Sequence, residues 1–235
     1  MNFPQLKTSR PQGAMWLALL LQSTSGNLSA EDSWSELTSP DGSFSIGVSL
    51  GAQGRPLYRV HWRDAEILAP SGLGFILNGG RDWTQGFVDL AAGSESKTDL
   101  EWKPVWGERS IVRDQYHGKK FTLRHKEAGT LTLEVRAYDE GIAFRYHLDA
   151  SGEFEIEREQ TEFRFAEDHD LWAVYSAQGK YSKEKISETR GATERPCVLE
   201  TAGGKAIAIA EAALVDYARM RLRKSAERPH TLVSD

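Results

Sequence analysis

The stretch LTLEVRAYDEGIAFRYHL, residues 131–148, decides the fold class of this chain. Apolar and polar residues alternate over 131–138 and again over 142–148, with Asp139-Glu140-Gly141 in between. A period of two places one face of a strand against a core and the other in water. Gly adopts positive φ without steric cost, and Asp tolerates it. The stretch therefore predicts two strands of an antiparallel sheet separated by a turn.

The same alternation recurs along much of the chain, and turn sequences separate the runs. This pattern predicts an all-β fold built from antiparallel sheets, arranged as a sandwich. The alternating runs are 44–50, 57–62, 121–125, 154–157 and 161–165, and further turns are expected at 40–42, 51–54, 78–80 and 202–204. Residues 206–210 suggest a buried strand, and the charged residues 181–190 suggest a short helix or a loop. No closing strand is obvious after Arg223, so we expect the sheet to end there with an open edge.

Bulk composition narrows the classes of function. The chain has 235 residues, a formal net charge of −5 and a pI of about 5.8. Nucleic-acid-binding domains usually carry a basic patch and a high pI, so no nucleic-acid partner is expected. The single cysteine, Cys197, cannot form an internal disulfide, and no Cys/His or Ser/His/Asp motif surrounds it. It is therefore interpreted as an inert cysteine.

The first thirty residues have the layout of a secretory signal. Lys7 and Arg10 precede the short apolar run AMWLALLL at 14–21, and small and polar residues lead to Ala30. This order predicts a signal peptide over 1–30, cleaved after Ala30, and a mature protein that is secreted or periplasmic. The apolar run is too short to span a bilayer. N-terminal sequencing of the exported protein would test this, with Glu31 expected as its first residue.

Several aromatic residues outside the alternating runs have the chemistry of sugar-binding sites. Trp102 and Trp106 flank a proline, and Glu108 follows closely. Indole faces stack on the apolar faces of sugar rings, while a nearby carboxylate hydrogen-bonds hydroxyls. The alternative is a loop whose tryptophans plug the edge of the sandwich.

A second group of candidates lies further along the chain, in backbone without periodicity, where binding sites tend to lie. Its members are Trp172, Tyr175, Glu188 and Arg190, followed by Glu211 in the sequence EAALVDY. The alternative for the first four residues is a surface loop that carries these side chains without a binding role. The alternative for Glu211 is a solvated or interface loop. The six histidines show no metal-binding spacing, and those in strands are expected to face solvent.

Together these segments resemble the N-terminal domain of family 97 glycoside hydrolases, which include α-glucosidases and α-galactosidases. The matching blocks follow the family's order: LTSPDG at 37–42, SGLG at 71–74, WKPVWGE at 102–108, YDEGIAFRY at 138–146, TEF at 161–163, SE at 187–188 and EAALVDY at 211–217. The resemblance implies that residues 31–235 form a super-sandwich like that of galactose mutarotase. It also implies a separate (β/α)8 barrel that carries the catalytic carboxylates, which this chain lacks.

The resemblance further implies an α-linked oligosaccharide or glycan as ligand, and calcium as a cofactor in some members. The family's calcium-binding glutamate falls on Gln178, which keeps a carbonyl oxygen but loses the charge on which affinity depends. The function that the resemblance implies is that of an accessory, carbohydrate-binding domain of an exported α-glycosidase, which packs on the catalytic barrel. Two other functions stay open. One is a free carbohydrate-binding module using Trp102/Trp106 and Trp172/Tyr175. The other is a mutarotase-like epimerase, which needs a His/Glu pair in the sandwich groove.

Overall fold

The computed structural model describes residues 33–150 and 152–235, and nearly all regular structure in them is β-strand. All strand pairs in this part of the chain run antiparallel. The predicted all-β antiparallel fold is therefore confirmed. The predicted signal peptide over 1–30 lies outside the described residues.

Most strands have seven residues or fewer, and three of the connections contain 3-10 helices, at Ala52–Gly54, Asn78–Gly80 and Ile186–Glu188. No helix in the described chain is long and apolar enough to cross a bilayer. In chain order the strands are β1 (Ser35–Thr38), β2 (Phe44–Leu50), β3 (Pro56–Trp62), β4 (Ala65–Gly72), β5 (Phe75–Leu77), β6 (Arg81–Asp82), β7 (Phe87–Ala92), β8 (Ser96–Trp102), β9 (Val112–His125), β10 (Gly129–Tyr138), β11 (Gly141–Ala150), β12 (Ile156–Glu159), β13 (Glu162–Arg164), β14 (Asp170–Ala173), β15 (Ser182–Lys185), β16 (Cys197–Glu200), β17 (Ala206–Ile209), β18 (Leu222–Lys224) and β19 (Thr231–Ser234).

Seven strands form the first of two larger sheets, in the order β1-β2-β3-β4-β13-β19-β18. Its first four strands follow one another along the chain, whereas the last three come from distant positions. The second larger sheet has the order β11-β10-β9-β7, and β8 also pairs with β9. Strand β9 has 14 residues, so β7 pairs with its C-terminal half and β8 with its N-terminal half.

The two larger sheets pack face to face on the residues that the period-two pattern selects. In β10 burial alternates along the strand, so that Leu133 and Val135 point into the core. They share one apolar cluster with Ile46 and Val48 of β2. Each such side chain contributes about 1.5–3 kcal/mol on full burial. This packing is the predicted sandwich, and the Asp139-Glu140 turn joins β10 to β11 as expected.

Two smaller sheets complete the domain, with the orders β12-β5-β6 and β15-β14-β16-β17. The expectation of a short helix or a loop over 181–190 is correct only in part, because this stretch contains β15 followed by the 3-10 helix Ile186–Glu188. Lys185 Nζ lies 2.6 Å from Asp170 Oδ1 across the β14–β15 pair, so charges in the stretch are neutralised between strands. The strand predicted over 206–210 is present as β17. The expectation that it is buried was wrong, because β17 is an edge strand and only Ile209 in it is buried.

A strand that sequence analysis did not find lies near the end of the chain. All four residues of β19 are buried, and the strand lies between β13 and β18. Its polar side chains are satisfied, since Ser234 Oγ accepts from Thr161 N and donates to Glu159 O, both at 3.0 Å. The sheet therefore does not end at Arg223 as expected.

One carboxylate joins the two parts of the first sheet. Strands β13 and β4 share a single register pair in the described chain, Arg164 opposite Ala69. Glu162, whose side chain is 12% exposed, strengthens this joint. Its carboxylate contacts groups from three other segments: Arg55 Nη2 at 2.6 Å, Gly72 N at 2.8 Å and Arg228 Nη1 at 3.4 Å.

We expect Leu232→Ala to lower the free energy of unfolding by about 2–5 kcal/mol, because it leaves a cavity in a strand that is buried throughout. Leu100→Ala is the matched control, since Leu100 is 62% exposed and should change stability by less than about 0.5 kcal/mol. Urea denaturation followed by tryptophan fluorescence measures both values. Equal losses in the two variants would contradict a central role for β19.

Candidate functional site

The connection between β8 and β9 carries the first group of predicted site residues. We call residues 102–111 the tryptophan hairpin. At the base of the hairpin, Trp102 pairs with Val112. Nearby, Arg113 forms a bidentate ion pair with the Asp99 carboxylate, with both contacts at 2.8 Å. Trp106 is 87% exposed, Trp102 is about half exposed, and Glu108 is also exposed. The alternative that these indoles plug the sandwich is therefore wrong, and their faces are open to a ligand or another protein.

Trp172 lies on β14 in the four-stranded sheet and is held by its indole nitrogen. Its Nε1 donates to Glu200 Oε1 at 2.7 Å, and Lys183 Nζ lies 2.6 Å from the other oxygen of this carboxylate. The hydrogen bonds from Lys183 and Trp172 lower the pKa of Glu200. The indole remains 38% exposed. This arrangement presents a fixed aromatic face beside a charged pair.

Tyr175 and Arg190, both predicted site residues, are brought together in the structure. The guanidinium carbon lies 4.6 Å from the centre of the tyrosine ring, and Arg190 N donates to the phenolic oxygen at 3.3 Å. The phenol donates to Glu184 Oε1 at 2.8 Å. Lys183 and Glu184 are consecutive in β15 and so face opposite sides. The partners of Trp172 and Tyr175 therefore lie on opposite faces of β15, and the two aromatic residues do not share one surface.

Glu188 and Gln178 lie near the four-stranded sheet that contains β14 and β15, and they do not form an enclosed binding site. Glu188 is exposed and accepts a hydrogen bond from Lys185 N at 3.2 Å. Gln178 is exposed in a turn closed by Gly179 N and Ser176 O at 2.9 Å. The described residues contain no group of three or more His, Cys, Asp or Glu side chains that could hold a metal ion. Calcium takes six to eight oxygens. Gln178 could supply one oxygen ligand to calcium, and the other ligands would have to come from another part of the protein.

Glu211 belongs to a cluster of carboxylates and arginines that the sequence analysis did not find. It forms an ion pair with Arg195 and accepts from Met220 N at 2.9 Å. The neighbouring Glu194 is 7% exposed and interacts with three arginines: Arg219 at 3.0 Å, Arg221 at 3.5 Å and Arg195 at 3.8 Å. The alternation RMRLR at 219–223 is the local sequence signal that would have indicated a charged strand face.

The loop between β17 and β18 exposes apolar side chains on a constrained backbone. We call residues 211–220 the apolar loop. Leu214, Val215 and Tyr217 are 40%, 75% and 46% exposed. Ala213 and Asp216 have φ of 50° and 52°, which costs on the order of 1–2 kcal/mol per residue. The Tyr217 hydroxyl donates to Glu159 Oε2 at 2.9 Å, and burial with this carboxylate raises the pKa of the phenol.

Two titratable side chains without an assigned role are packed in the interior. Cys197 is buried, and burial raises the pKa of its thiol to about 12, so the thiol stays protonated and unreactive. The expectation that strand histidines face solvent is wrong for His125, which is only 2% exposed. Its ring stacks on Trp83 at 4.6 Å, and Nε2 lies 3.0 Å from Gln85 O.

The one hydrogen bond between a histidine and a glutamate side chain in the described chain lies on the outer face of the second sheet. His147 Nε2 is 2.8 Å from Glu134 Oε2, and Arg145 Nη2 also contacts this oxygen at 3.1 Å. The hydrogen bond from His147 is the main cause that lowers the pKa of Glu134. Leu133 and Val135, which alternate with Glu134, point into the core. This pair therefore lacks the groove position that an epimerase requires.

Several of the other sequence blocks serve contacts within the domain. Asp41 N donates to Asp139 Oδ1 at 2.9 Å, which joins the LTSPDG and YDEGIAFRY blocks across 98 positions of sequence. Glu162 of the TEF block bonds to Gly72 N of the SGLG block. In contrast, the blocks at 102–108 and 211–217 leave their large apolar side chains exposed.

The chain is similar to parts of larger carbohydrate-active enzymes. The family model described as "Glycosyl-hydrolase 97 N-terminal" matches residues 37–234. The retaining alpha-galactosidase of Bacteroides thetaiotaomicron is 26% identical over 206 residues, which cover 80% of this chain and 30% of that protein. The structure of a Glycoside Hydrolase Family 97 enzyme from Pseudoalteromonas sp. strain K8 in complex with acarbose is 26% identical. It matches with a TM-score of 0.76 over 86% of this chain and 31% of that one.

A β-arabinopyranosidase structure shares the fold at 21% identity, with a TM-score of 0.73 over 86% of this chain and 35% of that one. The chain thus spans about a third of the length of the relatives it matches.

We expect Glu194→Gln to destabilise the domain by about 1.5–3 kcal/mol, because it removes the charge that offsets three neighbouring arginines. Glu188→Gln is the matched control on an exposed carboxylate and should shift stability by less than about 0.5 kcal/mol. Chemical denaturation at neutral pH measures both. A wild-type stability for Glu194→Gln would show that the cluster contributes nothing to folding.

Proposed function

Because the chain belongs to the glycosyl-hydrolase 97 N-terminal family, we propose that it is the accessory β-domain of an exported α-glycosidase. In this proposal the domain packs against a (β/α)8 catalytic barrel and helps to shape its sugar pocket. The observation that carries the proposal is the exposure of large apolar side chains on the tryptophan hairpin and the apolar loop. Contiguous exposed apolar surface usually marks an interaction site.

The division of roles between domain and barrel follows from the chemistry of glycoside hydrolysis. The reaction needs two carboxyl groups placed across the scissile bond. Of the carboxylates in the candidate site, Glu194 and Glu211 are paired with arginines, and Glu200 is paired with Lys183. Such pairing supports a structural role for these groups. In this proposal the catalytic pair lies on the barrel, and the chain by itself is inactive.

The proposed ligand is an α-linked oligosaccharide. Related enzymes include one described in complex with acarbose, and a variant of the same enzyme described in complex with panose. Trp102 and Trp106 are the side chains best suited to stack on sugar, since both are exposed on one hairpin. Calcium is proposed only at the domain interface, with Gln178 offering a single carbonyl oxygen and the barrel supplying the remaining ligands.

A free carbohydrate-binding module is the second candidate, favoured by the 87% exposure of Trp106. It differs from the first in what the chain does alone. A module of this kind binds sugar without a partner, whereas an accessory domain contributes one wall of a pocket that is closed by the barrel. Enclosed sites bury most of a ligand's surface, and one open aromatic face does not.

We expect the purified mature chain to leave panose intact and to bind it no more tightly than about 1 mM. Isothermal titration calorimetry and product chromatography provide the two measurements. Micromolar binding that is lost in Trp106→Ala but kept in Trp172→Ala would favour the free module. Hydrolysis of panose by the chain alone would contradict the accessory role, as would genomic DNA that encodes no barrel beyond codon 235.

A further inference from the structure

We propose that the apolar loop is the surface on which the catalytic domain docks, an inference that rests on the proposed function and assigns its interface. The loop carries Leu214, Val215 and Tyr217 on one short segment, with Val215 75% exposed. Exposed apolar side chains on a loop are costly to keep in water and gain stability when a partner covers them. A partner with an apolar surface of its own satisfies this chemistry.

The loop is built to hold one shape before any partner arrives. The Glu211 carboxylate accepts from Met220 N at 2.9 Å, so the two ends of the loop are joined. Tyr217 is tied to Glu159 of β12 at 2.9 Å. The positive φ of Ala213 and Asp216 is a conformation that persists only when surrounding contacts impose it. A preorganised surface loses little conformational entropy on binding, which favours association.

The end of the family match, at residue 234, identifies the partner. Asp235 N donates to Arg221 O at 2.9 Å, and Arg223 Nε lies 2.8 Å from Asp235 Oδ1. Arg221 directly follows the apolar loop, so the last residue of the chain lies beside the base of the loop. The match is to an N-terminal family and spans about a third of each relative. In such relatives most of the polypeptide follows this region, and it would start next to the loop.

A tether at this point gives the following domain a high effective concentration at the apolar loop. The tryptophan hairpin is the more exposed of the two surfaces, but it projects from β8 and β9 in the second larger sheet. The end of the chain belongs instead to the first sheet, at the β18–β19 pair. Exposure alone does not identify the docking surface, and the location of Asp235 favours the loop.

The test joins the full chain at Asp235 to the part of the Pseudoalteromonas enzyme that follows its matching region. Hydroxyl-radical footprinting then compares side-chain oxidation in the fusion with oxidation in the chain alone. We expect several-fold protection of Leu214 and Tyr217 in the fusion, and none of Trp106. Val215→Asp should abolish this protection, and Val105→Asp, at a 99% exposed position in the tryptophan hairpin, should leave it intact.

The outcomes separate the two proposals. Protection of Trp106 without protection of Leu214 and Tyr217 would overturn the inference and leave the proposed function standing. Protection of neither surface would overturn the proposed function itself. Concentration-dependent protection of Tyr217 in the chain alone would assign the loop to a second copy and also overturn the inference.

A measurement in trans covers the case in which the fusion does not fold. The barrel fragment is mixed with the intact chain, and Val215→Asp should weaken the association at least about tenfold. Equal binding by Val215→Asp and wild type would overturn the inference, and binding by neither would overturn the proposed function. Val215→Asp and Val105→Asp both change exposed side chains, so neither should disturb the fold. Unfolding curves that match the wild type would confirm that the chain itself is intact.

Discussion

The Glu162 carboxylate accepts hydrogen bonds from Arg55 and Gly72 and forms an ion pair with Arg228, while the Glu162 carbonyl accepts from the Tyr58 hydroxyl at 2.6 Å. These contacts connect the first four strands of the larger sheet to the strands that close it. The sandwich needs this joint because β4 and β13 share only one register pair in the described chain. Breaking such a buried network leaves charged groups without partners, which is costly. The apolar loop depends on this joint, since the loop leads into β18.

Two groups of residues in this domain have different roles. One group, which includes Glu162, Asp139 and Glu194, binds other parts of the domain and fixes loops in place. The other consists of aromatic and apolar side chains that those fixed loops expose, notably Trp106 and Val215. A rigid frame with exposed apolar loops is the arrangement expected of a domain that works against a neighbour. It explains why the family blocks include both buried contacts and surface residues.

The sequence predicted the fold well wherever one face of a strand is wet. The hairpin of β10 and β11 could be located from alternation and a turn. Strand β19 could not, because all four of its residues are buried and TLVS shows no alternation. Its Ser and Thr side chains suggest a loop until their partners are known. The prediction that His125 faces solvent was wrong, although the alternation in β9 puts His125 on the same face as Phe121 and Leu123, which also point inward.

The candidate site could be predicted only in part. Trp102, Trp106, Tyr175 and Arg190 were identified by residue type, and the last two do meet. The separation of Trp172 from Tyr175 depends on which face of β15 each contacts. In the Glu194 cluster, two of the three arginines, Arg219 and Arg221, lie 25 or more positions from Glu194. The alternation RMRLR signals a charged strand face, but it does not indicate which carboxylate that face meets.

The central claim is that the C-terminal strands are locked into the N-terminal sheet, so that the apolar loop is presented on a rigid base. Native-state amide hydrogen exchange measures this directly, because it gives a free energy of opening for each strand. The account predicts that the amides of β19 and β2 open with the same free energy in the wild type. It also predicts that Glu162→Gln lowers both values equally. Easier opening of β19 in the wild type, with Glu162→Gln affecting only that strand, would contradict it.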